Sequence, residues 1–226
     1  MKRSLTLTLF SMLGTAALFS ACKTDPVAVP EVTYVSLTNA SPSVATYNVY
    51  FDAARFVNGA VPFEGNIPYQ AVNPKTYSVK LTSENSAESK LTKQLSFSAN
   101  KGYSLFIIGR PAELELLALD DEFTPPAADK ASIRFVNLSP DAPALDLFEK
   151  DKTTLISDKA YKAASAFIQV EPRKYIFELK DKATGQVKGT MAEMELKKGT
   201  VYTLIAKGLL TPAATEKPFG GQLIAN

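Results

Sequence analysis

In "KYIFELK" (174–180) the side chains alternate, with Tyr175, Phe177 and Leu179 on one face and Ile176, Glu178 and Lys180 on the other. "TYSVKL" (76–81) repeats the pattern with Tyr77, Val79 and Leu81 against Ser78 and Lys80. A period of two is the mark of a strand with one face in a core. "YSLFIIG" (103–109) and "VYTLIAKG" (201–208) are apolar on both faces and are predicted as central strands. "DKAYKAASAF" (158–167) reads as loop plus the start of a strand.

The pattern is written twice. "VSLTNASPSVATYNVY" (35–50) lies 98 positions before "IRFVNLSPDAPALDLF" (133–148), and the same offset relates "VNPKTYSVKL" (72–81) to "VEPRKYIFEL" (170–179). "KGYSLFIIG" (101–109) answers "KGTVYTLIAKG" (198–208) with two residues inserted. Three blocks in one order at nearly one offset describe a duplicated unit. With turn residues recurring every ten or so positions, each copy accommodates about seven short strands, the size of an immunoglobulin-like sandwich. The predicted fold is therefore all-β: two tandem immunoglobulin-like antiparallel β-sandwich modules at 31–121 and 131–226. The connector 122–130, "EFTPPAADK", carries paired prolines and is expected to be short and semi-rigid.

Ahead of the modules, "MKRSLTLTLFSMLGTAALFSAC" has Lys2 and Arg3 before an uncharged run ending in small residues and the sole cysteine. That is the layout of a secretory signal over residues 1–21. "LFSAC" resembles a bacterial lipobox, which implies lipid attachment at Cys22 and a lipidated tether over 22–30. A single cysteine forms no internal disulfide, so another role is expected of it. Lys23 follows the cysteine in place of the aspartate associated with inner-membrane retention. The expected location is the outer membrane of a Gram-negative bacterium, on its periplasmic or its surface-exposed face.

Composition narrows the chemistry. The chain has no histidine and no tryptophan, which removes the commonest general base, the commonest zinc ligand and the strongest sugar-stacking side chain. Charge is divided unevenly. Residues 22–128 hold 8 basic and 11 acidic side chains, a balance of −3; residues 129–226 hold 15 and 12, a balance of +3. So mild an asymmetry leaves no nucleic-acid footprint, though it favours an acidic partner on the second module.

The polar knot "NLSPDAP" invites a functional reading. Asn137, Ser139 and Asp141 can bond neighbouring backbone, and Pro140 limits strand pairing, so a structural turn is expected. Asn39, Ser41 and Pro42 form its counterpart in the first copy. The rival reading, a calcium loop using Asp141 and Asp146, meets alternation that aims Asp146 away. Asp120, Asp121 and Glu122 in "LDDEF" are read as a solvated linker entry. Tyr50 and Phe148 occupy matching outward positions, either beneath a loop or facing a partner.

"RFVNLSPDAPALDLF", "VEPRKYIFEL" and "KGTVYTLIAKG" together resemble the domain-of-unknown-function 4397 family, over 31–226 as two copies. The resemblance implies exported bacterial proteins built of β-rich modules, with no established activity and a loose association with adhesion. No catalytic residue, metal site or cofactor is expected. The reading is a non-catalytic lipoprotein, bound to the membrane through Cys22, with an envelope protein or polysaccharide as partner. The alternative is an envelope glycan hydrolase or an accessory subunit of one.

Overall fold

The structure is a computed structural model that describes residues 31–122 and 124–226. The expected signal sequence over 1–21, the expected tether over 22–30 and Cys22 lie outside the described residues. Residues Glu31–Asn226 form one compact unit.

The first module contains β1 (Thr33–Asn39), β2 (Tyr47–Phe51), β3 (Ala54–Arg55), β4 (Asn66–Val72), β5 (Thr76–Ser83), β6 (Ser89–Ser96), β7 (Gly102–Ile108) and β8 (Glu115–Asp121). They make two sheets, in the orders β4-β1-β7-β8 and β3-β2-β5-β6. Val35, Leu37, Val49, Val79, Leu81 and Leu105 fill the space between them, as the alternation predicts.

The second module contains β9 (Ala131–Asn137), β10 (Leu145–Glu149), β11 (Thr154–Lys159), β12 (Ile168–Val170), β13 (Lys174–Tyr175), β14 (Phe177–Asp181), β15 (Val187–Thr190), β16 (Met194–Glu195), β17 (Val201–Lys207) and β18 (Gly220–Ala225). Its sheets run β12-β9-β17-β18 and β11-β10-β14-β15, with β13 paired to β16. Ile133, Phe135, Leu145, Leu147, Phe177 and Leu179 form a second core.

The ladders are antiparallel except for one in each module: β1 runs parallel to β7, and β9 to β17. In the first module the chain reverses at every strand, so β1 and β7, six reversals apart, must point the same way when they become neighbours. The expected antiparallel sandwich is corrected at that ladder.

The last repeat also shifts. Asn100 and Gly199 both adopt positive φ, and their N–H groups donate to Val32 O and Lys130 O respectively. Asn100 is thus the counterpart of Gly199, and Lys101 that of Thr200, an offset of 99. The shared "KG" letters misalign this turn.

The two-sided apolarity of β7 and β17 has a further cause. Tyr103, Leu105 and Ile107 face the first core, while Phe106 and Ile108 point out of it. There they meet Val136, Leu138, Ile205 and Ile224 of the second module in a third core. At roughly 1.5–3 kcal/mol for each fully buried large side chain, this face outweighs any surface ion pair on its rim, which is worth about 0–1 kcal/mol.

Candidate functional site

The polar knots lie at the ends of β1 and β9. Asn39 donates to Val61 O at 2.9 Å and accepts from Ser41 N at 3.0 Å. Asn137 donates to Pro143 O and Lys159 O and accepts from Ser139 N at 3.2 Å. The serine hydroxyls then reach the end of the parallel partner strand: Ser41 to Gly109 O at 2.7 Å and Ser139 to Gly208 O at 2.8 Å. Pro42 is buried, and its carbonyl accepts from Lys217 N of the other module. Pro140 opens the turn after β9.

Asp141 reaches beyond its own turn. Its oxygens accept from Leu210 N at 2.9 Å and from Thr211 N at 3.0 Å, in the loop after β17. Desolvation would raise its pKa, but those backbone donors outweigh it and hold the carboxyl below its ordinary value. Asp146 is engaged elsewhere, by Ser157 Oγ and Asp158 N. Both knots therefore tie strand ends together through their polar atoms.

The acids of "LDDEF" separate. Asp120 is exposed beside Lys101. Asp121 is 6% exposed and pairs with Arg134 of the second module, Nη1 to Oδ1 at 2.5 Å. Its other oxygen accepts from Tyr69 at 2.6 Å and from Ser104 at 2.8 Å. Burial, then the Asp121 charge, pushes the Tyr69 phenol well above its usual range. A solvated linker entry describes Asp120 but not Asp121, which is drawn inside by the arginine facing it.

Tyr50 and Phe148 remain outward and half-buried, but their surroundings differ. The Lys180 ammonium sits 3.8 Å above the Phe148 ring and pairs with Glu178. Tyr50 lies between Arg55 and Lys80, at 5.6 and 4.7 Å from its ring centre.

Arg55 also lines a groove of about 390 Å³ on one side of the first sandwich. The opposite side is bridged by Lys93, whose ammonium donates to Leu116 O at 2.9 Å. On the groove side β3 is only two residues long, and the interior shows between β3 and β4. Phe51 and Phe56 stack there at 4.5 Å with planes 13° apart, and Tyr77 tilts against Phe51 at 5.1 Å. Ala54, Ala71 and Val72 continue the lining with Gln70 and Asn73.

At the corresponding place the second module has a smaller hollow, of about 240 Å³, whose lining is largely ionic and includes Glu149, Lys152, Arg173 and Tyr175. Phe51 is replaced there by Glu149, 98 positions on. Arg173 grips that carboxylate through both terminal nitrogens, at 2.5 and 2.8 Å, and Lys152 adds a third contact at 2.6 Å. These donors, with Arg173 first, lower the Glu149 pKa to about 2. Arg173 in turn covers Tyr175 at 4.0 Å. β11, with six residues, also runs farther than β3. The first hollow is thus lined mainly by aromatic and aliphatic side chains and the second mainly by ions.

A family profile for a domain of unknown function, DUF4397, matches residues 33–148 of this chain. The chain belongs to that family. The DUF4397 match covers the whole first sandwich and enters the second through β9 and β10. A comparison with curated proteins finds no match.

Among solved structures, the DUF4397 chain resembles a carbohydrate-binding module of family 26 from Eubacterium rectale Amy13K, solved with maltoheptaose. That pair shares 10% identity at a TM-score of 0.26, over 86% of this chain and 96% of the other. It also resembles family 41 carbohydrate-binding modules from streptococcal virulence factors, at 13% identity, a TM-score of 0.25 and coverages of 76% and 93%. The Bacillus anthracis TIE protein matches at 12% identity and a TM-score of 0.25, over 78% of this chain and 34% of that one.

The groove was not legible in the linear pattern. Its signal was the second aromatic of "FDAARF", five residues after Phe51, where the repeat has only "EKDKTT".

Proposed function

We propose that this protein is a non-catalytic binding protein of the bacterial envelope, tethered by lipid on Cys22, and that its first module binds polysaccharide in the aromatic groove. One observation carries this reading. The groove is lined by Phe51, Phe56 and Tyr77 together with Arg55, Gln70 and Asn73, and among the described residues no carboxylate lines it. Ring faces suit the C–H faces of sugars, and carboxamides and a guanidinium suit their hydroxyls. Glycoside hydrolysis ordinarily needs two carboxyl groups across the bond.

The second module serves as its support. Its excess of cations is largely met within the molecule: Arg134, Lys162 and Lys207 pair with Asp121, Glu115 and Glu64 of the first module. One pair runs the other way, Arg110 with Glu216. Three pairs less one absorb two of the three surplus charges, so the charge asymmetry supports docking between modules more than recruitment of a partner. A lipid on Cys22, in the outer membrane as Lys23 suggests, would keep this unit at the bilayer.

The test is binding of the full-length protein, in detergent, to envelope polysaccharides by calorimetry, with Phe56→Ala beside it. Saturable binding lost in Phe56→Ala is expected, with the glycan recovered intact. Binding unaffected by Phe56→Ala, or cleavage of any glycan, would overturn the reading.

A further inference from the structure

The groove opens onto a cross-strand row of cations. On the outer face of the β3-β2-β5 sheet, Arg55 stands opposite Tyr50, and Tyr50 stands opposite Lys80. Directly opposed residues share a face, so the three side chains form one line across the strands. Both cations lean on the Tyr50 ring. Among the described residues neither has a carboxylate within ion-pair distance, although residues 31–121 carry 9 acidic and 7 basic side chains, a balance of −2. Lys75 nearby is paired with Asp52.

The second module does not repeat the row. Phe148 stands opposite Thr154 and Glu178, so the places of Arg55 and Lys80 are taken by a neutral and an acidic residue. Two cations with no carboxylate partner among the described residues therefore stand on one line that ends at the aromatic groove.

We infer that the ligand is an anionic polysaccharide, with carboxylates borne on its sugar rings. One ring lies in the groove against Phe56, and the flanking acid groups meet Arg55 and Lys80 on either side of Tyr50. The guanidinium at the groove mouth offers a planar fork that fits a carboxylate. The lysine, farther out, adds attraction without fixed geometry. This inference rests on the polysaccharide reading of the groove and names the ligand's charge class.

The experiment compares oligogalacturonate with its methyl ester, which keeps the rings and removes the charge. Full-length protein in detergent is used at about 50 mM salt. The acid form is expected to bind about tenfold more tightly than the ester, with the gap closing as salt rises. Arg55→Gln and Lys80→Gln should each cut affinity for the acid about three- to tenfold, and Lys80→Gln, outside the groove lining, should leave the ester unchanged. The control Lys182→Gln, on the second module, should change neither. Equal binding of acid and ester, with both lost in Phe56→Ala, would overturn the charge assignment and leave the polysaccharide reading standing. Equal sensitivity to Lys182→Gln would reduce the preference to general electrostatics and overturn it as well. Failure of Phe56→Ala to weaken either ligand would instead remove the groove itself.

Discussion

Arg134 of the second module and Asp121 of the first meet at 2.5 Å with side chains 3% and 0% exposed, so the two sandwiches share a buried ion pair. The arginine spends its other nitrogens on Ser104 and Thr203, at 2.7 and 2.9 Å, and its guanidinium lies over Phe167. Counterparts by repeat position are Ser36 for Arg134 and Asn226 for Asp121. The duplicated face has therefore diverged into a charged half on each side.

Breaking this pair from one side leaves a buried charge without its partner. Asp121→Ala and Arg134→Ala are each expected to destabilise by about 3–5 kcal/mol. Asp121→Leu with Arg134→Met should recover most of that loss, because the desolvation of both ions disappears. Urea unfolding of wild type, the two alanine variants and Asp121→Ala/Arg134→Ala forms the cycle. Additive losses in the double alanine variant would show that the pair is not coupled.

The Glu149 cluster gives a signed pH dependence. Its carboxyl titrates near 2 in the folded state, against an ordinary 4.5, chiefly because Arg173 holds the ionised form. A depressed folded pKa contributes stability that is complete above about 4.5 and is lost as pH falls toward 2. Wild type should exceed Glu149→Gln in melting temperature at pH 6, and the difference should shrink through that window. A difference that stays constant from pH 6 to pH 2 would contradict the assignment.

Two glycines close the strands that receive the knot serines. Gly208 has φ +78°, and a Cβ there would lie 2.0 Å from Pro218 O; Gly109 has φ +80°, with Glu113 O at 2.3 Å. Alanine at either adds backbone strain to a clash with main chain, and a loss of about 2 kcal/mol or more is expected. Gly185 has φ +71° but open space around it, so Gly185→Ala should cost only about 1 kcal/mol. Thermal denaturation of the three variants checks the ranking.

Asn137→Ala removes a side chain that joins Ser139 N, Pro143 O and Lys159 O. We expect about 2–3 kcal/mol of destabilisation, the cost of stranding buried polar groups. Affinity for glycan should be unchanged at temperatures where the variant is folded. A selective loss of binding would make the knot a site after all.

Cys22→Ala should abolish lipid incorporation and release the protein from membranes. Membrane fractionation after labelling with a fatty acid reads the outcome. An unlipidated protein that still sediments with membranes through residues 4–21 would show an uncleaved helical anchor.

The fold was largely legible because a strand's side-chain period is two at any position. Tyr77, Val79 and Leu81 and their counterparts Tyr175, Phe177 and Leu179 were assigned to cores from spacing alone. The knots were legible for a similar reason, since Asn, Ser and Pro act on nearby backbone. Asp141 was legible only in part: its partners Leu210 and Thr211 lie about seventy residues away, and no local pattern names them.

The all-β class and the inward set of each sandwich were readable along the chain, because both follow from local periodicity and from a pattern that recurs at one offset. Tertiary structure alone decided three further things. Folding turned the outer faces of β7 and β17 toward each other, made Asp121 a buried partner of Arg134 where its neighbour Asp120 stays in water, and set Phe56 in an aromatic groove where Glu149 and Arg173 line an ionic one. Each depends on which side chains meet across space, and burial and charge pairing are properties of that meeting.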